Sequence, residues 1–203
     1  QLPLRGAVNE PALAYWLPQL LPEQLPVMLA ASSPVRDWLT WGGSSCGRHR
    51  CFSFRGASGI DGTLSLAMGL AANLGPLALV TGDLALLHDS NGWLHASSAA
   101  AAPPLLVLLI DNGGGGIFQQ LPIATTGFES LFAMPQQVDP LALAAAHGVH
   151  GRQVACLEDL QEALAWGLSQ QRPVLLRLCS DRGRDAALRQ ELRAAAQNER
   201  TEL

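Results

Sequence analysis

Two segments of the sequence place oxygen-bearing side chains and glycines directly after apolar stretches. The first, L-V-T-G-D-L, carries Gly82 and Asp83 near its end. In the second, L-L-V-L-L-I-D-N-G-G-G-G, the pair Asp111 and Asn112 follows the apolar residues and precedes four glycines. Carboxylate, amide and backbone carbonyl oxygens are ligands that Mg²⁺ accepts together with phosphate oxygens. These residue types indicate a divalent-metal site formed by Asp83, Asn112 and a backbone carbonyl, for which Gly114 is the best candidate.

The glycine run at residues 113–116 suits an anionic partner. Glycine has no side chain, so the backbone can turn sharply and approach a phosphate without a Cβ clash. Successive N–H groups in such a turn can form an anion-binding nest. We therefore expect this run to bind a diphosphate group beside the metal.

The elements that must position these residues alternate between apolar strands and helical patterns. Continuous apolar strands separated by helices are typical of a parallel sheet that is covered on both faces. The predicted fold class is therefore α/β, with a mainly parallel sheet of about six strands and helices on both faces. Strands are predicted at 26–30, 51–54, 77–81, 105–110, 149–155 and 174–178. Helices are predicted after Asn9, with Pro18 as a kink or an end, from residue 33, and at 59–74, 90–102, 141–147, 158–170 and 185–197.

The position of the polar residues agrees with this architecture, because ligands of such sheets bind beyond the carboxyl ends of the strands. The chain starts at Gln1 without methionine, and it reads as a piece of a longer polypeptide. We divide it into a linker with a leading helix, residues 1–24, and a metal- and diphosphate-binding domain, residues 25–203.

Composition excludes several classes of function. The net charge of −4 argues against a nucleic-acid-binding protein. The chain contains no lysine, which excludes a lysine Schiff base. No uncharged apolar run reaches about 18 residues, so no membrane span is predicted. The four cysteines lack C-x-x-C spacing and are interpreted as reduced thiols of a cytoplasmic protein.

Several runs together resemble one enzyme family. They are R-G-A-S-G-I-D-G at 55–62, N-G-G-G-G-I-F at 112–118, S-P-V-R-D at 33–37 and Gly-Asp-Leu at 82–84. The sequence resembles the 2-succinyl-5-enolpyruvyl-6-hydroxy-3-cyclohexene-1-carboxylate (SEPHCHC) synthases, thiamine-dependent enzymes of menaquinone and phylloquinone biosynthesis. The resemblance extends from about residue 27 to the C terminus and matches only the C-terminal, thiamine-diphosphate-binding domain of that family.

The resemblance implies thiamine diphosphate and Mg²⁺ (or Mn²⁺) as cofactors, and 2-oxoglutarate and isochorismate as substrates. In the family, 2-oxoglutarate adds to the cofactor and loses CO2, and the succinic-semialdehyde carbanion then adds to isochorismate. The implied metal ligands are Asp83, Asn112 and the Gly114 carbonyl. The implied cofactor contacts are Ser32, Gly59, Ile60, Gly82, Asp83, Leu84, Asn112, Gly114, Gly115, Gly116 and Ile117. The implied catalytic residues are Arg36, Arg55 and Phe118.

The resemblance also implies a partner. The family's catalytic glutamate lies on a separate pyrimidine-binding domain, usually of a neighbouring subunit, and no glutamate here matches it. Glu10 and Glu23 precede the predicted fold. We therefore expect half of an active site, which is inactive alone and is completed by an N-terminal pyrimidine-binding domain in a homodimer or homotetramer.

Other interpretations of the same residues stay open at this point. The chain could come from another thiamine-dependent 2-oxo acid decarboxylase or synthase, or it could be a truncated module that binds cofactor without catalysis. Arg36 and Arg55 could be surface arginines that pair with nearby aspartates. Ile60 and Phe118 could be ordinary core residues, and Ser32 could be a helix cap.

Overall fold

The computed structural model of the chain describes residues 2–54, 59–98, 102–123 and 125–201. Its centre is a six-stranded parallel sheet with the order β2-β1-β3-β4-β6-β5. The predicted parallel sheet is therefore confirmed. The strands are β1 Val27–Leu29, β2 Cys51–Ser53, β3 Leu77–Gly82, β4 Leu105–Asp111, β5 His150–Val154 and β6 Val174–Cys179.

Helices cover both faces of the sheet. The α-helices of the described residues are α1 Glu10–Leu20, α2 Ser33–Trp41, α3 Thr63–Leu74, α4 Asp83–His88, α5 Leu94–Ser98, α6 Pro140–Ala146, α7 Leu160–Leu168 and α8 Arg182–Thr201. Short 3₁₀ helices lie at Gly43–Arg48, Ser90–Trp93, Gly116–Gln120 and Leu157–Asp159, and a π-helical turn lies at Glu129–Ala133. None of the described helices is both long and apolar enough to cross a bilayer.

The strands supply side chains to two cores because successive residues of a strand point to opposite faces. Val80 and Leu108 pack with α1, α2 and α7 on one face. Leu79 and Val107 pack with α3 and α4 on the other. Each of these four side chains is at most 3% exposed, so β3 and β4 are buried on both sides. This burial explains why their sequences are continuously apolar rather than alternating.

Helix α1 confirms the predicted helix after Asn9: the Asn9 side chain caps it, and it ends at Leu20, two residues after Pro18. Two other local features differ from the sequence prediction. Helix α4 was not predicted. It begins at Asp83, directly after β3, and is only six residues long. The helix predicted at 90–102 is divided into the 3₁₀ turn Ser90–Trp93 and α5, and residues 99–101 lie outside the described residues.

Helix α1 belongs to the same packed core as the sheet. Leu13 and Leu17 are each 1% exposed and pack among the residues of β1, β3 and β4. Helix α8 is tied to this core by Arg189, which is also 1% exposed and pairs with Glu10 of α1 and Asp37 of α2. The first and last helices of the chain are thus held together by a buried ion network. The domain boundary predicted at residue 24 remains a prediction.

Candidate active site

A cavity of about 310 Å³ lies beyond the carboxyl ends of β3 and β4. Parallel pairing of Gly82 with Ile110 brings these two strand ends side by side, as the sequence predicted. Twelve predicted site residues line the cavity: Ser32, Arg36, Ile60, Gly82, Asp83, Leu84, Asn112, Gly114, Gly115, Gly116, Ile117 and Phe118. Gly59 is exposed and is not among the residues that line it. Arg55 lies outside the described residues.

Asp83 connects the end of β3 to the glycine run. Its Oδ2 accepts a hydrogen bond from the Gly114 N–H at 2.7 Å, and its Oδ1 accepts one from the Leu84 N–H at 2.7 Å. Burial raises the pKa of the Asp83 carboxyl to about 6, against the opposing effect of these N–H donors, and the nearby Asp111 raises it further. The carboxylate is therefore costly to keep charged without a cation beside it.

Asn112 is held by a second residue of the cavity lining, Glu10. Its Nδ2 donates to Oε1 of Glu10 at 2.7 Å, while its Oδ1 is buried and has no hydrogen-bond partner. Glu10 also lines the cavity and is 2% exposed. Glu10 precedes the fold predicted from the sequence, and it was not among the predicted site residues. Its only local signal is an acidic residue in the first turn of a helix, which usually means favourable interaction with the helix dipole.

The Glu10 network contains several buried carboxyls around one cation. Burial raises the pKa of Glu10, although Arg189 opposes this effect. Burial likewise raises the pKa values of Asp37 and Asp185. Burial alone would lower the pKa of Arg189, but Asp37 and Glu10 outweigh it and raise the pKa. Arg189 therefore stays charged and compensates the carboxylates that surround it.

The glycine run is fixed by packing as well as by its backbone freedom. Gly114 has φ +120°, and a Cβ there would lie 2.0 Å from the Ala133 carbonyl oxygen. A Cβ on Gly116 would lie 2.5 Å from Asn112 Nδ2. The Gly114, Gly115 and Gly116 N–H groups already donate to Asp83, the Ala133 carbonyl and the Gly114 carbonyl. The open nest that we expected from these N–H groups is therefore not formed in this structure.

Helix α2 approaches the cavity with its N-terminal end. Ser32 precedes this helix with φ +78° and ψ −136°, a backbone conformation that residues other than glycine rarely adopt. Its side chain makes no capping hydrogen bond, which does not support the alternative that Ser32 is an ordinary cap. The Arg36 Nη1 donates to the Ser32 carbonyl oxygen at 2.7 Å. Arg36 is exposed at the cavity rather than paired with Asp37, whose carboxylate binds Arg189.

The remaining lining is apolar. Ile60, Ile117 and Phe118 are partly buried, and Phe118 packs edge-on against Phe132 at 5.4 Å between ring centroids. An apolar wall next to a polar, oxygen-rich edge is the usual composition of a pocket for an organic cofactor.

The oxygen atoms at the polar edge fit a hard divalent cation. Asp83 offers a carboxylate, Asn112 an unpartnered amide oxygen, and Gly114 a carbonyl that accepts one hydrogen bond from Gly116. Mg²⁺ prefers such ligands and keeps the rest of its shell for phosphate oxygens and water. The described residues contain no cluster of three His, Cys, Asp or Glu side chains that could hold a metal. A set of one carboxylate, one amide and one backbone carbonyl is of a kind that suits Mg²⁺.

The sequence matches a family described as "Thiamine pyrophosphate enzyme, C-terminal TPP binding domain" over residues 36–178. The chain belongs to this family. The matched range includes the ends of β3 and β4 and the whole glycine run, and therefore the polar edge of the cavity. Glu10 and α8 lie outside the matched range.

Two curated relatives match 98% or more of the chain. A protein of Synechococcus sp. (strain CC9605) is 96% identical over 203 residues, which are 100% of this chain and 36% of the relative. A protein of Parasynechococcus marenigrum (strain WH8102) is 76% identical over 198 residues, with 98% of this chain and 36% of the relative covered. Both are named 2-succinyl-5-enolpyruvyl-6-hydroxy-3-cyclohexene-1-carboxylate synthase. The chain spans 36% of the length of these relatives.

Solved structures of thiamine diphosphate enzymes share the fold. The thiamine diphosphate-dependent 4-hydroxybenzoylformate decarboxylase of Rhodococcus jostii RHA1 superposes with a TM-score of 0.66 at 22% identity. The superposition covers 87% of this chain and 33% of that one. The benzoylformate decarboxylase of Polynucleobacter necessarius gives a TM-score of 0.65 at 16% identity, covering 85% of this chain and 33% of that one. At these identities the likeness concerns the fold alone.

The strained backbone of Ser32 gives a stability prediction for this site. Replacing Ser32 by glycine should raise the free energy of unfolding by about 1 kcal/mol, because relief of the left-handed strain exceeds the entropy cost of a glycine. Urea denaturation of both proteins measures this difference. The control is Ser44→Gly in an exposed 3₁₀ turn, where about 0.5 kcal/mol should be lost. Equal losses at the two positions would contradict the prediction.

Proposed function

We propose that this chain is the diphosphate- and metal-binding part of a SEPHCHC synthase. The proposed enzyme depends on thiamine diphosphate and Mg²⁺ (or Mn²⁺). It decarboxylates 2-oxoglutarate and joins the remaining succinyl-semialdehyde unit to isochorismate, in menaquinone or phylloquinone biosynthesis. The observation that carries the proposal is that Asp83, Asn112 and Gly114, whose oxygen atoms suit a divalent cation, line the same cavity and that the Asn112 amide oxygen has no hydrogen-bond partner. The names of the relatives support the choice of substrates.

Each part of the cavity has a task in this proposal. Thiamine diphosphate, when bound, supplies the chemistry that stabilises the carbanion formed on decarboxylation. Asp83, Asn112 and the Gly114 carbonyl would hold the divalent cation, which would supply positive charge for the diphosphate group. Arg36 is exposed at the cavity, where it is proposed to bind the carboxylates of the substrates. Both substrates are carboxylates, which a guanidinium can bind through two parallel hydrogen bonds. Ile60, Ile117 and Phe118 provide the apolar wall for the organic part of the cofactor.

The proposal requires a partner domain. Both carboxylate oxygens of Glu10 are bound, one to Asn112 and the other to Arg189, so Glu10 is not the glutamate that activates the cofactor in this proposal. That glutamate is proposed to come from the pyrimidine-binding domain of a neighbouring subunit, in a cytoplasmic homodimer or homotetramer. Exposed apolar side chains on the segment after the glycine run support a docking surface there. They are Leu121, Leu131, Met134 and Val138, which are 48–67% exposed.

The choice of donor substrate tests the proposed reaction. A protein of the relatives' full length that contains this chain, called the full-length protein below, should release CO2 from 2-oxoglutarate and consume isochorismate. Pyruvate should be a poor donor, with kcat/KM at least about 100-fold lower, because it lacks the distal carboxylate that an arginine can bind. Coupled assays with each donor measure this ratio. Preference for pyruvate would favour another thiamine-dependent synthase.

Removal of the carboxylate at Asp83 tests the metal site. Asp83→Ala should weaken Mg²⁺-dependent binding of thiamine diphosphate by at least about 100-fold, since it removes the anionic ligand from a shared metal–phosphate site. Isothermal titration calorimetry of the full-length protein, with and without Mg²⁺, measures the change. Asp159→Ala, which removes an aspartate on the 3₁₀ turn before α7, is the control and should leave the affinity unchanged. Equal affinities for the two variants would remove the metal assignment.

The raised pKa of Asp83 predicts a pH dependence. Because burial raises this pKa to about 6, acidification protonates Asp83 while an exposed aspartate would still be charged. A protonated carboxyl is a poor ligand, so the affinity for Mn²⁺ should fall roughly tenfold per pH unit below about 6 and change little above about 7. Titration of the full-length protein with Mn²⁺ in the presence of thiamine diphosphate, followed by electron paramagnetic resonance, measures the profile.

A control is needed for this profile because phosphate groups also titrate near pH 6. Asp83→Asn lacks the titrating carboxyl and should bind Mn²⁺ weakly, with only the pH dependence of the diphosphate. Superimposable slopes for the wild type and Asp83→Asn below about pH 6 would show that Asp83 does not control the affinity.

A further inference from the structure

Glu10 lies between a proposed metal ligand and a buried cation. Its Oε1 accepts a hydrogen bond from Asn112 Nδ2 at 2.7 Å, and its Oε2 accepts one from Arg189 Nη2 at 2.7 Å. Glu10 is 2% exposed and Arg189 is 1% exposed, so water does not compete for these contacts. The two carboxylate oxygens are thus assigned to two different donors.

This arrangement determines which atom of the Asn112 amide is left over. An ionised carboxylate only accepts hydrogen bonds, so Asn112 must turn its NH₂ group toward Glu10. The amide oxygen Oδ1 is then the atom without a hydrogen-bond partner. The two ends of an amide have nearly the same size, so hydrogen bonding rather than shape sets the orientation. Gly116 leaves room for the Nδ2 end, since a Cβ there would lie 2.5 Å from it.

We propose that Glu10 is a positioning residue for the metal: it fixes the rotation of the Asn112 amide so that the oxygen is available to the cation. Arg189 in turn fixes Glu10 in the accepting form and in place. This inference rests on the proposed metal site. Glu10 lies on α1 and Arg189 on α8, so two helices outside the residues matched by the family would help to position a metal ligand.

Asp37 provides a matched control within the same network. Its carboxylate binds Arg189 through the Nε at 3.1 Å and through Nη2, and it is 6% exposed. These hydrogen bonds run to Arg189 rather than to Asn112. Changing Asp37 to asparagine and changing Glu10 to glutamine both convert a buried carboxylate partner of Arg189 into an amide. Only the change at Glu10 alters the partner of Asn112.

The geometry predicts a specific result for Glu10→Gln. Arg189 offers only donors, so the oxygen of the new amide must face Arg189 and its NH₂ group must face Asn112. Two NH₂ groups cannot hydrogen-bond to each other, and Asn112 is expected to turn its oxygen toward the introduced NH₂ group and away from the cation. A second change, Asn112→Asp, provides an oxygen on both sides and should restore the ligand.

The test is a Mn²⁺ titration of the full-length protein in the presence of thiamine diphosphate, followed by electron paramagnetic resonance. Glu10→Gln should weaken Mn²⁺ binding roughly 10–100-fold, as is common when a partner of a metal ligand is removed. Asp37→Asn should stay within about twofold of the wild type, although thermal unfolding should show both variants to be less stable. The double variant Glu10→Gln/Asn112→Asp should return to within about fivefold of the wild type.

Three results would overturn the inference. Wild-type affinity in Glu10→Gln would show that Glu10 does not set the amide, and equal weakening in Glu10→Gln and Asp37→Asn would show a purely structural network. Failure of Asn112→Asp to restore binding in the double variant would also contradict it. Asp83→Ala, titrated in parallel, separates the two proposals. If Asp83→Ala binds Mn²⁺ as the wild type does, the metal site itself is wrong.

A crystal structure of the full-length wild type with Mn²⁺ and thiamine diphosphate decides the question if Glu10→Gln does not fold. One amide atom of Asn112 within ligand distance of the metal and the other within hydrogen-bond distance of Glu10 would support the inference. An Asn112 side chain turned away from Glu10 in that structure would overturn it.

Discussion

The parallel pairing of β3 with β4 is the constraint on which the rest of the site depends. The register pairs Leu79 with Val107 and Gly82 with Ile110, so β3 and β4 end at the same edge of the sheet. A slip of one residue would exchange the side chains between the two cores and move one strand end by about 3.3 Å relative to the other. The apolar cores on both faces therefore set the positions of the oxygen ligands as well as the stability of the sheet.

The sheet and most of the cavity could be predicted from the sequence, because both depend on signals that are local. Buried parallel strands are short apolar runs, and their carboxyl ends must share one edge. Helix α4 was not predicted, because it is short and follows β3 without a loop. The Gly-Asp-Leu run indicated a metal ligand at Asp83, but it gave no sign that Asp83 is also the first residue of a helix.

The parts that could not be predicted depend on residues far apart in the chain. Glu10 and Asn112 are separated by 102 positions, and Glu10 and Arg189 by 179. Near Glu10 the sequence shows only the start of an ordinary helix. The glycine run was expected to be an open, anion-binding turn, whereas the π-helical turn Glu129–Ala133 packs against it and takes up one of its N–H groups. The conformation of the glycine run thus depends on tertiary packing, because glycine alone permits several conformations.

Arg189 is the sole cation in the described contacts of both Glu10 and Asp37, and it lies beyond the last strand of the sheet. A shortened polypeptide that stopped before residue 189 would retain all six strands and every residue of the cavity wall. It would nevertheless leave two interior carboxylates uncompensated, at a cost of several kcal/mol. Any excised or fused version of this chain must therefore include Arg189, even though the sequence runs that identify the site all end before α8.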